Sequence, residues 1–359
     1  MPRKPLVTIA IPNYNYAKYV GQAIESAVNQ TYENLEVVVS DNASTDGSWD
    51  IIKAFEDHPK VELFRQKETL PVGNHFGFVL AMANARYLVF LSSDDMLKPT
   101  FIEKTMKVIL DHPDRSIGMV VTEREVVDAG GAVRDFPPFY TTSCVVPGEK
   151  QAKVFLMGNP FVPSQSLLDR KVLQPGLRSF RRQSPGQDWK RRTQYACLAD
   201  CAMWFNMCLA SDFGYVREKL AVYREHFQGE AAAHMGNLQG IFELYTMKRN
   251  LIEDARRKGL DTIVAFGEEA IRKIGSDCLK WASMFLEHRD LVAARRLQHM
   301  AAAIDPSLAS AKTYLALDYV LGANLERPFE AFRALAPFCG ATLRDFSYDP
   351  PEGYLAIES

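Results

Sequence analysis

Three times in its first hundred residues, the chain runs through apolar side chains, many of them β-branched in the first two runs, and then breaks at once into a polar turn. Residues 6–11 break into Pro12-Asn13-Tyr14-Asn15, and 35–39 break into Ser40-Asp41-Asn42-Ala43-Ser44-Thr45-Asp46-Gly47. The third run, ending in Phe90-Leu91, breaks into Ser92-Ser93-Asp94-Asp95. Runs of this kind read as buried strands. Together with 61–65 and 117–121 they alternate with helical periods at 17–29, 47–57, 74–84 and 99–111. Ser44, Thr45 or Asp46 can cap the second helix, and Pro99 suits the first turn of the fourth. Such alternation predicts an α/β fold, a parallel sheet with helices on both faces. Residues just past the carboxyl ends of its strands face the crevice where ligands bind. Two adjacent acids there, Asp94 and Asp95, suit a hard divalent cation carrying a diphosphate.

A chain of 359 residues points to about two domains. A net charge of −2 argues against a nucleic-acid binder. The opening Met1-Pro2-Arg3-Lys4-Pro5 enters a strand without the apolar core of a signal peptide. No stretch approaches the ~20 apolar residues that span a bilayer. The expectation is a soluble cytoplasmic protein, with peripheral contact at the inner face of the membrane left open. Absence of GxGxxG after the first strand and of GxxxxGK[ST] anywhere disfavours a dinucleotide dehydrogenase and a P-loop ATPase. The cysteines, at 144, 197, 201, 208, 278 and 339, form no CxxC pair and read as small buried hydrophobes rather than metal ligands.

From 123 to 228 the signal is mixed, with a helix expected at about 199–210 and a strand at about 214–222. Beyond 234 it turns helical. Ile263, Phe266, Ala270, Ile274, Cys278, Trp281 and Phe285 fall at steps of three and four, and Leu291, Ala294, Leu297, Ala301 and Ile304 repeat the pattern before Asp305-Pro306. We read residues 1–228 as one α/β domain and 229–359 as an all-helical appendage.

Taken in order, these pieces resemble glycosyltransferase family 2, the inverting nucleotide-sugar transferases of the GT-A fold. The resemblance covers roughly residues 5–226, and it implies that 1–228 is the nucleotide-sugar-binding catalytic domain and that 229–359 serves acceptor binding, oligomerisation or docking. It is carried by Pro12-Asn13-Tyr14-Asn15, the stretch 23–32 with its Gln30-Thr31, the strand and loop at 36–47, and Asp94-Asp95. Leu198-Ala199-Asp200 before Trp204 and Leu220-Ala221-Val222-Tyr223-Arg224-Glu225-His226 complete it. Three positions depart from the common pattern: Ser92 replaces the first acid of Asp-x-Asp-Asp, Asn42 and Ala43 replace an Asp and a Gly, and Ala199 replaces a Glu.

The resemblance implies roles for particular residues. Asp41 would accept the N3–H of a uracil or thymine, and Tyr14 would lie flat against base or ribose; the plainer readings are a turn residue and a core aromatic. Pro12, Asn15, Asn74 and Ser93 would complete the nucleotide pocket, and Asp46 reads as a helix cap. Asp94 would ligate Mn²⁺ or Mg²⁺, joined by Asp95 and His226, although Asp95 also fits a helix cap and His226 a structural role. Asp200 would be the base that deprotonates the acceptor hydroxyl. Asp188, in Gly186-Gln187-Asp188-Trp189, competes for that role but stands a dozen residues too far before the 220–224 strand.

An arginine-rich stretch, with Arg170, Lys171, Arg178, Arg181, Arg182, Lys190, Arg191 and Arg192, reads either as a patch for a lipid diphosphate or anionic membrane, or as a solvated loop beside the site. The expected function is metal-dependent transfer of a sugar from a UDP- or dTDP-sugar to a glycan or lipid-linked hydroxyl acceptor, in surface polysaccharide or glycan synthesis. A homo-oligomer is left open. The rival readings are a nucleotide-sugar binding module without turnover and a nucleotidyltransferase, whose Gly-x-Gly-Thr-Arg loop is missing.

Overall fold

Strand β1 (Val7–Asn13) runs inside the sheet, with residues 7–11 fully buried. It pairs in parallel with β2 (Leu35–Asp41) on one side and β4 (Tyr87–Phe90) on the other, and β2 pairs onward with β3 (Val61–Arg65). Parallel neighbours need crossovers. These are α1 (Ala17–Val28), α2 (Ser48–Lys53) and α3 (Val72–Met82). Helix α1 buries Val20, Ala23, Ile24 and Ala27, one stripe at helical spacing. Each fully buried Val or Ile of that stripe contributes about 1.5–3 kcal/mol relative to exposure.

The computed structural model describes residues 4–128, 130–158, 161–173, 199–225, 238–323, 325–336 and 347–358. After β4 come β5 (Met96–Leu97), α4 (Phe101–Leu110), β6 (Ile117–Val127), β7 (Val133–Arg134), β8 (Cys144–Val146), α5 (Gly148–Met157) and β9 (Ser166–Asp169). Next are α6 (Ala199–Cys208) and β10 (Asp212–Arg224). The sheet order is β11-β8-β10-β6-β9-β4-β1-β2-β3, with β5 on β10 and β7 on β6; β11 is Leu355–Ala356.

The sheet is parallel through β1 to β4, as the alternation predicts for a mostly parallel sheet, and becomes mixed at β9. Strand β9 lies antiparallel between β4 and β6, its start beside the carboxyl end of β4, where Leu167 pairs with Val89, and its first residue opposite Val121, midway along β6. No helix separates it from the turn at Pro163–Gln165, so it enters from the carboxyl edge and runs against both neighbours.

Contacts divide the chain into two units, residues 1–229 with 343–359, and residues 230–342. The tail therefore packs with the sheet, although the sequence pattern assigns it to the helical part. Tyr348 N–H donates to the Phe139 carbonyl at 2.7 Å, and Ile357 N–H donates to that of Ser143 at 3.0 Å.

Within 230–342 the described helices are α7 (Leu238–Arg257), α8 (Asp261–Glu287), α9 (Leu291–Ile304), α10 (Lys312–Gly322) and α11 (Pro328–Leu335). Their own core includes Ile274, Cys278, Leu286, Leu297, Ala301, Leu317 and Phe332. At Gly267 an added Cβ would lie 2.4 Å from Ile252, which is how α7 and α8 pack so closely. No helix among the described residues is long and apolar enough to cross a membrane. Cys144, Cys208 and Cys278 are buried free thiols.

Candidate active site

Parallel register sets Asn13 opposite Asp41 at the carboxyl edge of the sheet. Asn13 Nδ2 donates to Asp41 Oδ1 at 2.8 Å and to Ser44 Oγ at 3.2 Å, and the Ser44 N–H donates to Asp41 Oδ2 at 3.0 Å. Asp41 has no exposed surface, a state a carboxylate tolerates only when donors meet its oxygens. Arg65 adds an ion pair at 3.8 Å. Asp41 thus holds its own loop in shape.

The loops after β1 and β2 are laced together. Asn15 N–H donates to Ser44 Oγ and Thr45 N–H to Asn15 Oδ1, both at 2.9 Å. Asn15 and Ala43 each have a φ of 58°, left-handed backbone that asparagine tolerates better than alanine. Asp46 accepts the Ala17 N–H at 2.8 Å and the Ser48 N–H at 3.0 Å, so one carboxylate closes the starts of α1 and α2. Burial works to raise its pKa, but the Ser48 hydroxyl and these N–H groups outweigh it and hold Asp46 below the ordinary range. Tyr14, between Asn13 and Asn15 of this lattice, is 46% exposed.

The chain leaving β4 enters the same edge. Ser93 donates its hydroxyl to the Pro12 carbonyl at 2.8 Å, tying the acidic turn to the turn after β1. The two acids then part company. Asp94 is partly exposed. Asp95 is buried, with Oδ2 accepting the Ser164 hydroxyl at 2.6 Å and Oδ1 accepting the Arg224 N–H at 3.1 Å. Burial, then the charge of Asp94, pushes the Asp95 carboxyl well above the usual carboxylate range. Of the two acids expected here as metal ligands, Asp94 is the partly exposed one, while Asp95 is buried and fastens the turn.

Asp200 opens α6. That helix is followed within a few residues by β10, which is parallel to β6, so α6 runs back against the strands and its first turn lies toward their carboxyl edge. Its other end is seated by Gly148 at the start of α5. An added Cβ there would lie 1.9 Å from the Ser211 carbonyl oxygen and 2.1 Å from that of Cys208. Asp200 Oδ1 accepts the Cys201 N–H at 2.8 Å. Burial outweighs that bond and pushes its pKa up to about 6. A carboxyl group in that range can take up and release a proton near neutral pH.

Asn74 is exposed in the first turn of α3, and Asn42 ties the loop before it by two 2.9 Å bonds to Leu70. His75 is buried, with Nε2 2.9 Å from Ser40 Oγ; burial depresses its pKa against the opposing charge of Asp41. Arg170 leaves the expected basic patch. It follows β9 at the amino edge and donates to the carbonyls of Ala85 at 3.0 Å and Leu80 at 3.3 Å, closing the end of α3. His226, Asp188 and the stretch 178–192 lie outside the described residues. Asn13 and Ser164 were not singled out from sequence, because each acts through a partner that only sheet pairing supplies.

A divalent cation fits this edge in one way. Among the described residues no three His, Cys, Asp or Glu side chains form a cage. One partly exposed carboxylate matches how Mg²⁺ is usually held, by one or two acids, with phosphate and water oxygens completing its shell.

Residues 8–174 match the model of glycosyl transferase family 2. That segment belongs to the family. Among curated proteins, the chain is 34% identical over 132 residues to a chondroitin synthase of Escherichia coli, covering 36% of this chain and 19% of that one. It is 33% identical over 132 residues to a hyaluronan synthase of Pasteurella multocida, covering 36% and 13%. The match thus spans a fifth or less of these relatives' length. Among solved structures, S. aureus TarS 1–349 in complex with UDP-GlcNAc aligns with a TM-score of 0.55 and 14% identity over 92% of this chain and 90% of that one. At that identity the likeness speaks for the fold, a GT-A sheet flanked by helices.

Proposed function

We propose that this family 2 chain is an inverting, metal-dependent glycosyltransferase. It moves a sugar from a UDP- or dTDP-sugar to a hydroxyl on a glycan or lipid-linked acceptor, in polysaccharide or glycan synthesis. What supports the reading is the placing of two carboxyl groups toward one sheet edge: a partly exposed Asp94 after β4, and Asp200 in the first turn of α6 with its pKa pushed up to about 6. TarS structures bound to UDP-GlcNAc and to UDP favour a uridine donor.

In this reading Tyr14 covers base or ribose, and the Asp41 loop shapes the wall against which the base rests. Asn15 and Asn74 border the nucleotide, while Ser93 and Pro12 fix the spacing of the two turns that flank it. Asp94 would hold Mn²⁺ or Mg²⁺, with His226 as the further ligand, and the cation would neutralise charge on the departing diphosphate. Asp200 takes the proton from the acceptor hydroxyl as that oxygen attacks the anomeric carbon from the side opposite the leaving group. One C–O bond forms, one breaks, and the proton resides on an Asp200 oxygen. Docking at the inner membrane face and self-association of the helical unit complete the proposal.

A thermal-shift screen of nucleotide sugars with and without Mn²⁺ tests it, because a ligand that binds only the native state raises apparent stability. The expected result is a metal-dependent shift with a UDP- or dTDP-sugar, followed by donor hydrolysis or transfer in an assay. Binding without turnover under every acceptor supports the silent module instead.

A further inference from the structure

The geometry points to Arg224 as a positioning residue that holds the Asp94 turn against helix α1. Five contacts converge on it. Its backbone N–H donates to Asp95 Oδ1 at 3.1 Å, and its Nη1 donates to the Asp94 carbonyl at 3.0 Å. Its Nη2 donates to Gln22 Oε1 and lies 3.5 Å from Met96 Sδ. The guanidinium sits 4.8 Å from the centre of the Tyr19 ring. Tyr19 and Gln22 are both on α1, one turn apart, whereas Asp94, Asp95 and Met96 form the acidic turn and its exit.

The clamp acts on the peptide rather than on the carboxylate of Asp94. A donor on the Asp94 carbonyl fixes that peptide plane, and with it the direction in which the Asp94 side chain leaves the turn. The N–H of the same residue fixes Asp95 next door. Because β10 pairs with β5 through Val222 and Met96, the strand delivers Arg224 to this point in register. Tyr19 and Gln22 then keep the guanidinium from swinging away, so the nucleotide-side helix and the acidic turn move as one piece. A lysine replaces it only in part, since one ammonium on a flexible stem cannot cover the Tyr19 ring while donating in two directions.

This inference rests on the proposed role of Asp94 as a cation ligand, and the test separates the two. Calorimetry measures the Kd for UDP with saturating Mn²⁺ and again with chelator, for wild type, D94N, R224K, R224A and the double variant Y19L/Q22A. The readout is the ratio of the two Kd values. In R224A that ratio is expected to fall by about tenfold or more, the usual consequence of removing a group that orients a metal ligand from behind. The metal-free Kd is expected to stay near wild type and R224K to lie between. A general loosening of the fold would weaken both affinities together and leave the ratio alone.

A folded R224A with an unchanged ratio overturns the inference. If R224A shows no cooperative thermal transition, the Y19L/Q22A variant decides: a reduced ratio supports the clamp, and a wild-type ratio refutes it. A wild-type protein whose UDP affinity ignores Mn²⁺ defeats the underlying reading itself, a result distinct from failure of the arginine variants alone.

Discussion

Ser164 and Asp95 meet at 2.6 Å, hydroxyl to carboxylate, although they belong to turns far apart in the chain. The Ser164 oxygen also accepts the Ser92 N–H at 3.1 Å, so one hydroxyl braces both ends of the acidic turn. Replacing it leaves a buried carboxylate oxygen and a backbone N–H without their partner. Ser164→Ala is therefore expected to destabilise the fold by about 1–3 kcal/mol. Urea denaturation at neutral pH checks this; a change within ~0.5 kcal/mol, the range of an inconsequential surface substitution, would count against the brace.

Asp200 gives two pH signatures of opposite direction. Folding raises its pKa from 3.8 to about 6. The folded state holds that proton more tightly than the unfolded chain, so this group favours folding fully below its unfolded pKa. That advantage is lost as pH climbs through the folded value, and Asp200→Asn is expected to flatten this part of the stability profile. A general base works only when deprotonated. Turnover is accordingly expected to rise about tenfold per pH unit up to the folded pKa and then level, and D200N is expected to lower kcat by about 10²–10⁴-fold. A D200N enzyme with unchanged kcat would remove Asp200 from the reaction.

Ala43 sits in left-handed backbone with a φ of 58°, where a Cβ crowds the following carbonyl. Ala43→Gly relieves that crowding at the cost of greater freedom in the unfolded chain. The expected balance is a gain of about 0.5–1 kcal/mol. Thermal unfolding measures it, and a lower Tm would show that the methyl is needed where it lies.

Gly148 carries the opposite expectation. Its missing side chain lets the Cys208 and Ser211 carbonyls close on the start of α5. A methyl cannot fit without moving backbone, so Gly148→Ala is expected to cost about 1–3 kcal/mol and, by shifting α6, to lower turnover as well. Wild-type stability and kcat together would mean that Gly148 does not seat the helix.

Strands β1 to β4 and β6 were legible because each is a run of β-branched or apolar residues that ends in a change of chemistry. Strand β9 was not. Its four residues, Ser166–Asp169, follow a cluster of prolines and read as loop, and only pairing between β4 and β6 makes them a strand. The same limit governs the site. Asp94 and Asp200 stood out by type and position, and Asp46 as a cap, but no local signal links Asp46 to Ala17 or Ser164 to Asp95. Asp41 stood out as an acceptor, yet its partner Asn13 exists only once β1 and β2 lie side by side. Arg170 misled for the same reason, its charge reading as surface while its guanidinium closes a helix end.

Crystals soaked with UDP and Mn²⁺ and measured at the manganese edge would locate cation and nucleotide together. The account expects one anomalous peak at coordination distance from the Asp94 carboxylate, with the diphosphate completing its shell and the uracil beside Tyr14. A peak and nucleotide seated on any other surface, with Asp94 facing away from both, would contradict it.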